Sequence, residues 1–75
     1  MKPTKKTTPR ERLIYQAIFV HNDLHQEMPT YQEIADRVER SRTTVFEQVS
    51  SLINKGFLTS QGTLRGLEFT NKIPN

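Results

Sequence analysis

The segment TYQEIADRVERSRTTVFEQVSSLINKG, residues 30–56, decides how this chain folds. It holds two helical patterns separated by a gap that suits only a tight turn. Thr30-Tyr31-Gln32-Glu33 sets a hydroxyl just before the apolar spacing begins and a carboxylate three residues later, the reciprocal arrangement of a capping box. Ile34, Ala35 and Val38 then share one face, which predicts a short helix over 31–38. Ser41 supplies the next cap, and Val45, Val49, Leu52 and Ile53 fill one arc of a helix expected over 42–54. Lys55-Gly56 ends it, with glycine in the left-handed stop position. Between the two helices stand Glu39 and Arg40, where such turns usually carry glycine and an apolar residue, so Glu39 must accept any positive φ the turn requires.

Upstream, Met28-Pro29 interrupts the helical pattern, and Thr8-Pro9-Arg10-Glu11 forms another capping box with proline at the first helical position. Leu13, Ile14, Ala17, Ile18, His21 and Leu24 recur at three- and four-residue spacing, predicting a helix over 9–25 with one apolar stripe. Downstream of Gly56 the period becomes strand-like. Phe57-Leu58-Thr59-Ser60 and Leu64-Arg65-Gly66-Leu67-Glu68-Phe69 flank Gln61-Gly62-Thr63, a turn in which Gly62 can take positive φ. The expected fold is mainly α with a small β-hairpin: a three-helix winged helix-turn-helix over 8–70, preceded by a flexible basic arm over 1–7 and followed by a short tail over 71–75.

At 75 residues, 33% apolar and without cysteine, the chain has room for one small domain and neither a disulfide framework nor a thiolate zinc site. A two-lobed catalytic core does not fit that length, and no glycine-rich phosphate loop, nucleophile elbow or isolated carboxylate pair stands out. The expectation is a binding protein, not an enzyme, with no cofactor and no small-molecule substrate. Met1-Lys2-Pro3-Thr4-Lys5-Lys6 leads into no apolar h-region and no stretch is long enough to span a bilayer, so a cytoplasmic protein without a membrane partner is expected. His21 and His25 have a spacing that suits zinc. They lack the glutamate of H-E-x-x-H and an obvious third ligand, and read as a core-edge and a surface histidine.

The formal net charge is +3, and Lys2, Lys5, Lys6, Arg10 and Arg12 against Glu11 supply more than all of it. A basic arm on a small domain fits a polyanion partner, and equally a solubilising tail. On the helix over 42–54, taking about 100° per residue, Thr43, Glu47, Ser50, Ser51 and Asn54 fall opposite the apolar arc. Serine and threonine hydroxyls can read base edges, a threonine methyl can touch thymine, and a glutamate can accept from cytosine. The N-terminal residues of such a helix point into the major groove, which selects Ser41, Arg42, Thr43, Thr44, Phe46 and Glu47. Thr44 packing on the turn and Glu47 as a solvated charge are the plain alternatives. Phe46, at the edge of the apolar arc, is expected to be partly buried, or else to act as a wedge against thymine methyls or a partner. Arg42 suits phosphate or guanine, because a cation at a helix start is unfavourable without an anion nearby. Gln61, Gly62, Thr63 and Arg65 on the wing and Lys5 and Lys6 on the arm are candidate backbone contacts. Arg40 and Lys55 read equally as phosphate contacts or ordinary surface charges.

Taken together, Thr8-Pro9-Arg10, Met28-Pro29-Thr30 leading into Glu33-Ile34-Ala35, Ser41-Arg42-Thr43-Thr44-Val45, Leu52, Lys55-Gly56-Phe57-Leu58 and Arg65-Gly66-Leu67 resemble the N-terminal DNA-binding domain of the LexA repressors, over about residues 8–69. Ile34-Ala35, Val45 and Lys55-Gly56 are shared by many winged-helix regulators, and the flanking elements carry the narrower likeness. The resemblance implies a transcriptional repressor that binds double-stranded DNA. Ser41 and Glu47 then fall on operator-contacting positions, Thr43 and Thr44 on the other reading positions, and Phe46 has no polar counterpart. The self-cleaving Ser/Lys protease domain of that family, which also dimerises, is not expected after Phe69. Specificity from so small a module calls for a homodimer on a palindromic site, although no dimer surface stands out in the sequence. The rival expectation is a winged-helix adaptor that binds protein, for which Glu47 and an exposed Phe46 are suited.

Overall fold

A computed structural model describes residues 7–60 and 67–72. Three helices come first, α1 (Pro9–His25), α2 (Tyr31–Val38) and α3 (Arg42–Asn54), followed by two short strands, β1 (Leu58–Ser60) and β2 (Leu67–Phe69). The fold is therefore the three-helix, small-hairpin arrangement read from the sequence. The arm residues Lys5 and Lys6 and the wing residues Gln61, Gly62, Thr63 and Arg65 lie outside the described residues, as does the expected strand segment 64–66.

The helix starts follow from their caps. Thr8 Oγ1 accepts from the Glu11 N–H at 3.2 Å while Glu11 Oε1 accepts from the Thr8 N–H at 2.9 Å. Thr30 and Glu33 repeat that exchange at 3.1 and 2.8 Å. Ser41 Oγ accepts from the Thr44 N–H at 3.1 Å. Each cap supplies partners that the first turn of a helix otherwise lacks.

The helix ends are equally local. Gly56, at φ +88°, lets the Phe57 N–H return to the Leu52 carbonyl at 2.9 Å and its own N–H reach Ile53 at 3.0 Å, a Schellman closure that turns the chain toward β1. Glu39 ends α2 at φ 58°, with the Arg40 N–H on the Ala35 carbonyl at 3.2 Å. A β-carbon is unfavourable in that left-handed region. Glu39→Gly is accordingly expected to raise stability by about 0.5–1 kcal/mol, as measured by urea unfolding. A drop in the urea midpoint would show that the glutamate side chain contributes something its exposed position does not suggest.

Ile14, Ile18, Ile34, Val45, Val49, Leu52 and Leu58 are essentially inaccessible and form the centre of the core, with Phe57 and Leu67 closing it from the hairpin side. The strands pair antiparallel with Leu58 opposite Phe69 and Ser60 opposite Leu67. That register puts Leu58, Leu67 and Phe69 on the face toward the helices and leaves Thr59 and Glu68 in solvent. Tyr15 and Phe19 of α1 hold Phe69 with ring centroids 5.3 and 5.9 Å apart.

The apolar stripe expected on α1 is corrected at both edges. Leu13 and Leu24 are 40% and 64% exposed, and Tyr15 is buried instead. Phe69 of the hairpin packs on Tyr15, whereas Leu13 stays exposed, so tertiary neighbours shift the buried arc around the helix. His21 lies at the core edge with its Nε2 3.8 Å from Glu33 Oε1, and His25 is exposed beside it, their rings 4.5 Å apart. No helix among the described residues is long and apolar enough to cross a membrane.

Candidate nucleic-acid interface

The second and third helices present the candidate site, and burial divides α3 into sides. Val45, Val49 and Leu52 are fully buried, which anchors the helix on α1 and α2 and fixes which residues point away. Thr43, Glu47 and Asn54 are exposed on the opposite side and Ser50 is half-buried beside them. That face carries hydroxyl, amide and one carboxylate, a set able to donate to and accept from base edges.

Ser51 does not belong to that face. Its Oγ donates to Glu11 Oε2, which turns it toward the start of α1. Around the α3 axis Ser51 and Gln48 lie on the α1 flank, where they line a shallow cleft with Thr8, Pro9 and Arg10. Gln48 was not among the residues singled out from the sequence. Its signal was faint, a polar side chain on the edge of the apolar arc.

On the other flank, Phe46 sits next to α2. It is 55% exposed, more than the partial burial expected of it, because the core closes on Val45 and Val49 and leaves the Phe46 ring at its edge, against Tyr31. Those two rings meet edge-on, with centroids 5.8 Å apart and planes at 65°. Arg42 and Thr43 border the same apolar depression. Tyr31 of α2 therefore packs on the exposed ring of α3, a contact its place at the start of α2 gave no reason to expect.

The N-terminus of α3 is positively charged by two routes. Arg40 and Arg42 are exposed, and no acidic residue occupies the first turn to compensate the helix dipole. Ser41 Oγ, besides capping, donates to Thr44 Oγ1 at 3.1 Å, so both hydroxyls are held in one local arrangement. Thr44 is half-buried, consistent with packing against the turn, while Thr43 projects freely.

Lys55 is also corrected. Instead of an open surface charge at the end of α3, its Nζ donates to Glu11 Oε1 at 2.7 Å. Glu11 is 3% exposed and gathers hydrogen bonds from the Thr8 N–H, Ser51 and Lys55, tying the start of α1 to the last turns of α3. Burial works to raise the Glu11 carboxyl. Hydrogen bonds from Lys55, Ser51 and the Thr8 backbone, with the Lys55 charge, outweigh it and hold the group below the ordinary glutamate value. The pair orients α3 relative to α1 and so belongs to the scaffold of the site.

Among the described residues, Ser41, Arg42, Thr43, Thr44, Phe46, Glu47 and Ser50 are thus gathered on one helix, with Arg40 in the turn before it. No protein-family model matches the chain, and the comparison with curated proteins likewise finds no match.

Proposed function

We propose that this domain binds double-stranded DNA sequence-specifically through α3 in the major groove, as a LexA-like transcriptional regulator acting in the cytoplasm without catalysis or cofactor. The supporting observation is the polarity of α3: three fully buried aliphatic residues on one side and Thr43, Glu47 and Asn54 exposed on the other. An exposed helix face meant only for solvation usually carries lysine and glutamate in abundance. Here short hydrogen-bonding side chains dominate, and cations stand only at the helix start, where a phosphate would lie. Hydroxyls and an amide reach base edges, and Arg40 and Arg42 fix the register on the backbone. The arm residues Lys5 and Lys6 and the wing residues Gln61, Gly62, Thr63 and Arg65 extend the backbone contact in this proposal.

The test is fluorescence anisotropy of a labelled duplex pool across a salt series, followed by selection of the preferred sequence. Binding is expected to weaken steeply with salt. Thr43→Ala and Glu47→Ala are each expected to change the selected motif at one or two positions, with losses of about 5–100-fold on the original site, corresponding to the 1–3 kcal/mol of a good base contact. Equal affinity for all sequences in wild type and variants would remove base reading from the proposal.

One observation favours a second reading. Phe46, more than half exposed over an apolar depression shared with Tyr31, is the kind of anchor a protein partner uses. Lack of DNA binding at low salt would favour that reading, with Phe46 as its centre.

A further inference from the structure

Among the described residues, the large apolar side chains left in solvent are Leu13, Phe19, Val20 and Leu24, all on α1, and Phe46, alone on α3. Phe46 is 55% exposed, so much of its ring is open to whatever α3 meets. The ring has a fixed neighbour, because Tyr31 meets it edge-on with centroids 5.8 Å apart. Arg42 stands four residues earlier, one turn back on the same flank of the helix, and Thr43 completes the rim of the depression. The flank of α3 next to α2 thus carries an apolar surface with a cation and a threonine beside it.

We propose that this depression receives the C5-methyl group of a pyrimidine, thymine or 5-methylcytosine, in the major groove. The inference rests on the proposed function and names what one part of that face reads. A pyrimidine C5-methyl is the apolar substituent that base edges present in the major groove. It lies at the outer edge of its base, beside the phosphates of its own strand. A pocket for it therefore needs an apolar surface with a cation next to it for the neighbouring phosphate, which is the pairing of Phe46 with Arg42. In a helix-turn-helix the first helix crosses the backbone, so the α2 flank of α3 is the side nearest a line of phosphates.

Charge selects the same occupant. Arg40 and Arg42 are exposed at the start of α3, and no acidic residue occupies its first turn, so the surroundings of Phe46 suit a polyanion. Glu47 falls about 100° further around the helix, on the face assigned to hydrogen bonding with bases. Methyl recognition by Phe46 complements those contacts, because it adds discrimination at a base edge without a hydrogen bond.

The test starts from the duplex that the wild-type protein selects. Each thymine in it is replaced in turn by deoxyuridine, which removes the methyl group and keeps every hydrogen-bonding group of the base. Wild type is expected to lose about 3–10-fold in affinity at one such position, the scale of one buried methyl group. Phe46→Ala is expected to bind the two duplexes equally, and Phe46→Leu, which keeps an apolar surface, to retain part of the preference. Each comparison is made within one variant, so any change in its stability or overall affinity cancels. Cytosine and 5-methylcytosine at the same position identify the source of the methyl. A gain of similar size with 5-methylcytosine would make binding responsive to cytosine methylation, and a gain confined to thymine would support the pocket with thymine as its ligand. Indifference of wild type to deoxyuridine at every position, or a preference that persists unchanged in Phe46→Ala, would overturn the methyl pocket while leaving DNA reading intact. Absence of duplex binding at low salt would overturn both and assign the Phe46 surface to a protein partner.

Discussion

Glu11→Ala is expected to lower stability by about 2–4 kcal/mol, which for a domain of this size is a fall of about 10–25 °C in the thermal midpoint. The side chain is almost fully buried and carries two jobs at once. It completes the capping box with Thr8, worth about 1 kcal/mol by itself, and it accepts from Ser51 and Lys55 across the α1–α3 contact. Truncation leaves the Thr8 N–H and the Ser51 hydroxyl without that acceptor and the Lys55 ammonium in a mostly buried position without its anion. Total stability for a domain of this length is only about 4–11 kcal/mol, so the loss is a large part of it. Glu11→Gln separates the two jobs. Glutamine can still close the capping box, so the smaller loss expected there, about 1–2 kcal/mol, reports the charge alone.

The sign of the pH dependence follows from the same geometry. The folded state holds the Glu11 carboxyl below its ordinary value, so the unfolded chain binds that proton first as pH falls. The contribution of Glu11 is fully present above about pH 4.3, the ordinary glutamate value, and is lost as pH drops through the lowered folded value. Urea midpoints measured from neutrality downward are expected to fall less steeply below that pH in Glu11→Gln than in wild type. Parallel slopes would mean that the carboxylate is not stabilised by Lys55 in solution.

The second large effect concerns DNA. Arg40→Glu combined with Arg42→Glu is expected to reduce duplex affinity by about 100-fold or more at moderate salt and to flatten the salt dependence by about two phosphate contacts. Both side chains are exposed, so neither substitution disturbs the core. Stability is expected to move the opposite way. Arg42 opens α3, where the helix dipole disfavours a cation, and a carboxylate at that position relieves the conflict. A variant that binds DNA worse and unfolds later would show that the arginine serves an anion at the expense of its own helix. Unchanged affinity at every salt concentration would take the start of α3 away from the DNA backbone and leave the exposed Phe46 surface as the better candidate interface.

Much of this architecture was legible in the sequence because its determinants are local. Thr8 with Glu11, Thr30 with Glu33, Ser41 and Gly56 act on backbone groups within a few residues, so the helix limits follow from short motifs whatever the rest of the chain does. The left-handed Glu39 was legible for the same reason, since a three-residue connection between two capped helices leaves few backbone solutions. The polar face of α3 followed from helical period once Val45, Val49 and Leu52 were recognised as its anchor.

Other features depended on which elements meet. Glu11 and Lys55 are 44 residues apart, and each has an adequate local reading, as a cap and as a surface cation. Only the packing of α1 on α3 makes them a buried pair and engages Ser51 with Glu11 instead of the exposed polar face of α3. Leu13 and Leu24 satisfy the period of the α1 stripe as well as Ile14 and Ile18 do, yet they stay in solvent because the hairpin covers the Tyr15 side instead. Phe46 differs from Val45 by one step around the helix, and the position of Tyr31 decides how much of its ring is covered. The sequence by itself determined where each helix starts and stops and which faces were eligible for burial. Tertiary structure decided which eligible face was covered, because periodicity records the direction a side chain points and carries no information about the neighbour that arrives there.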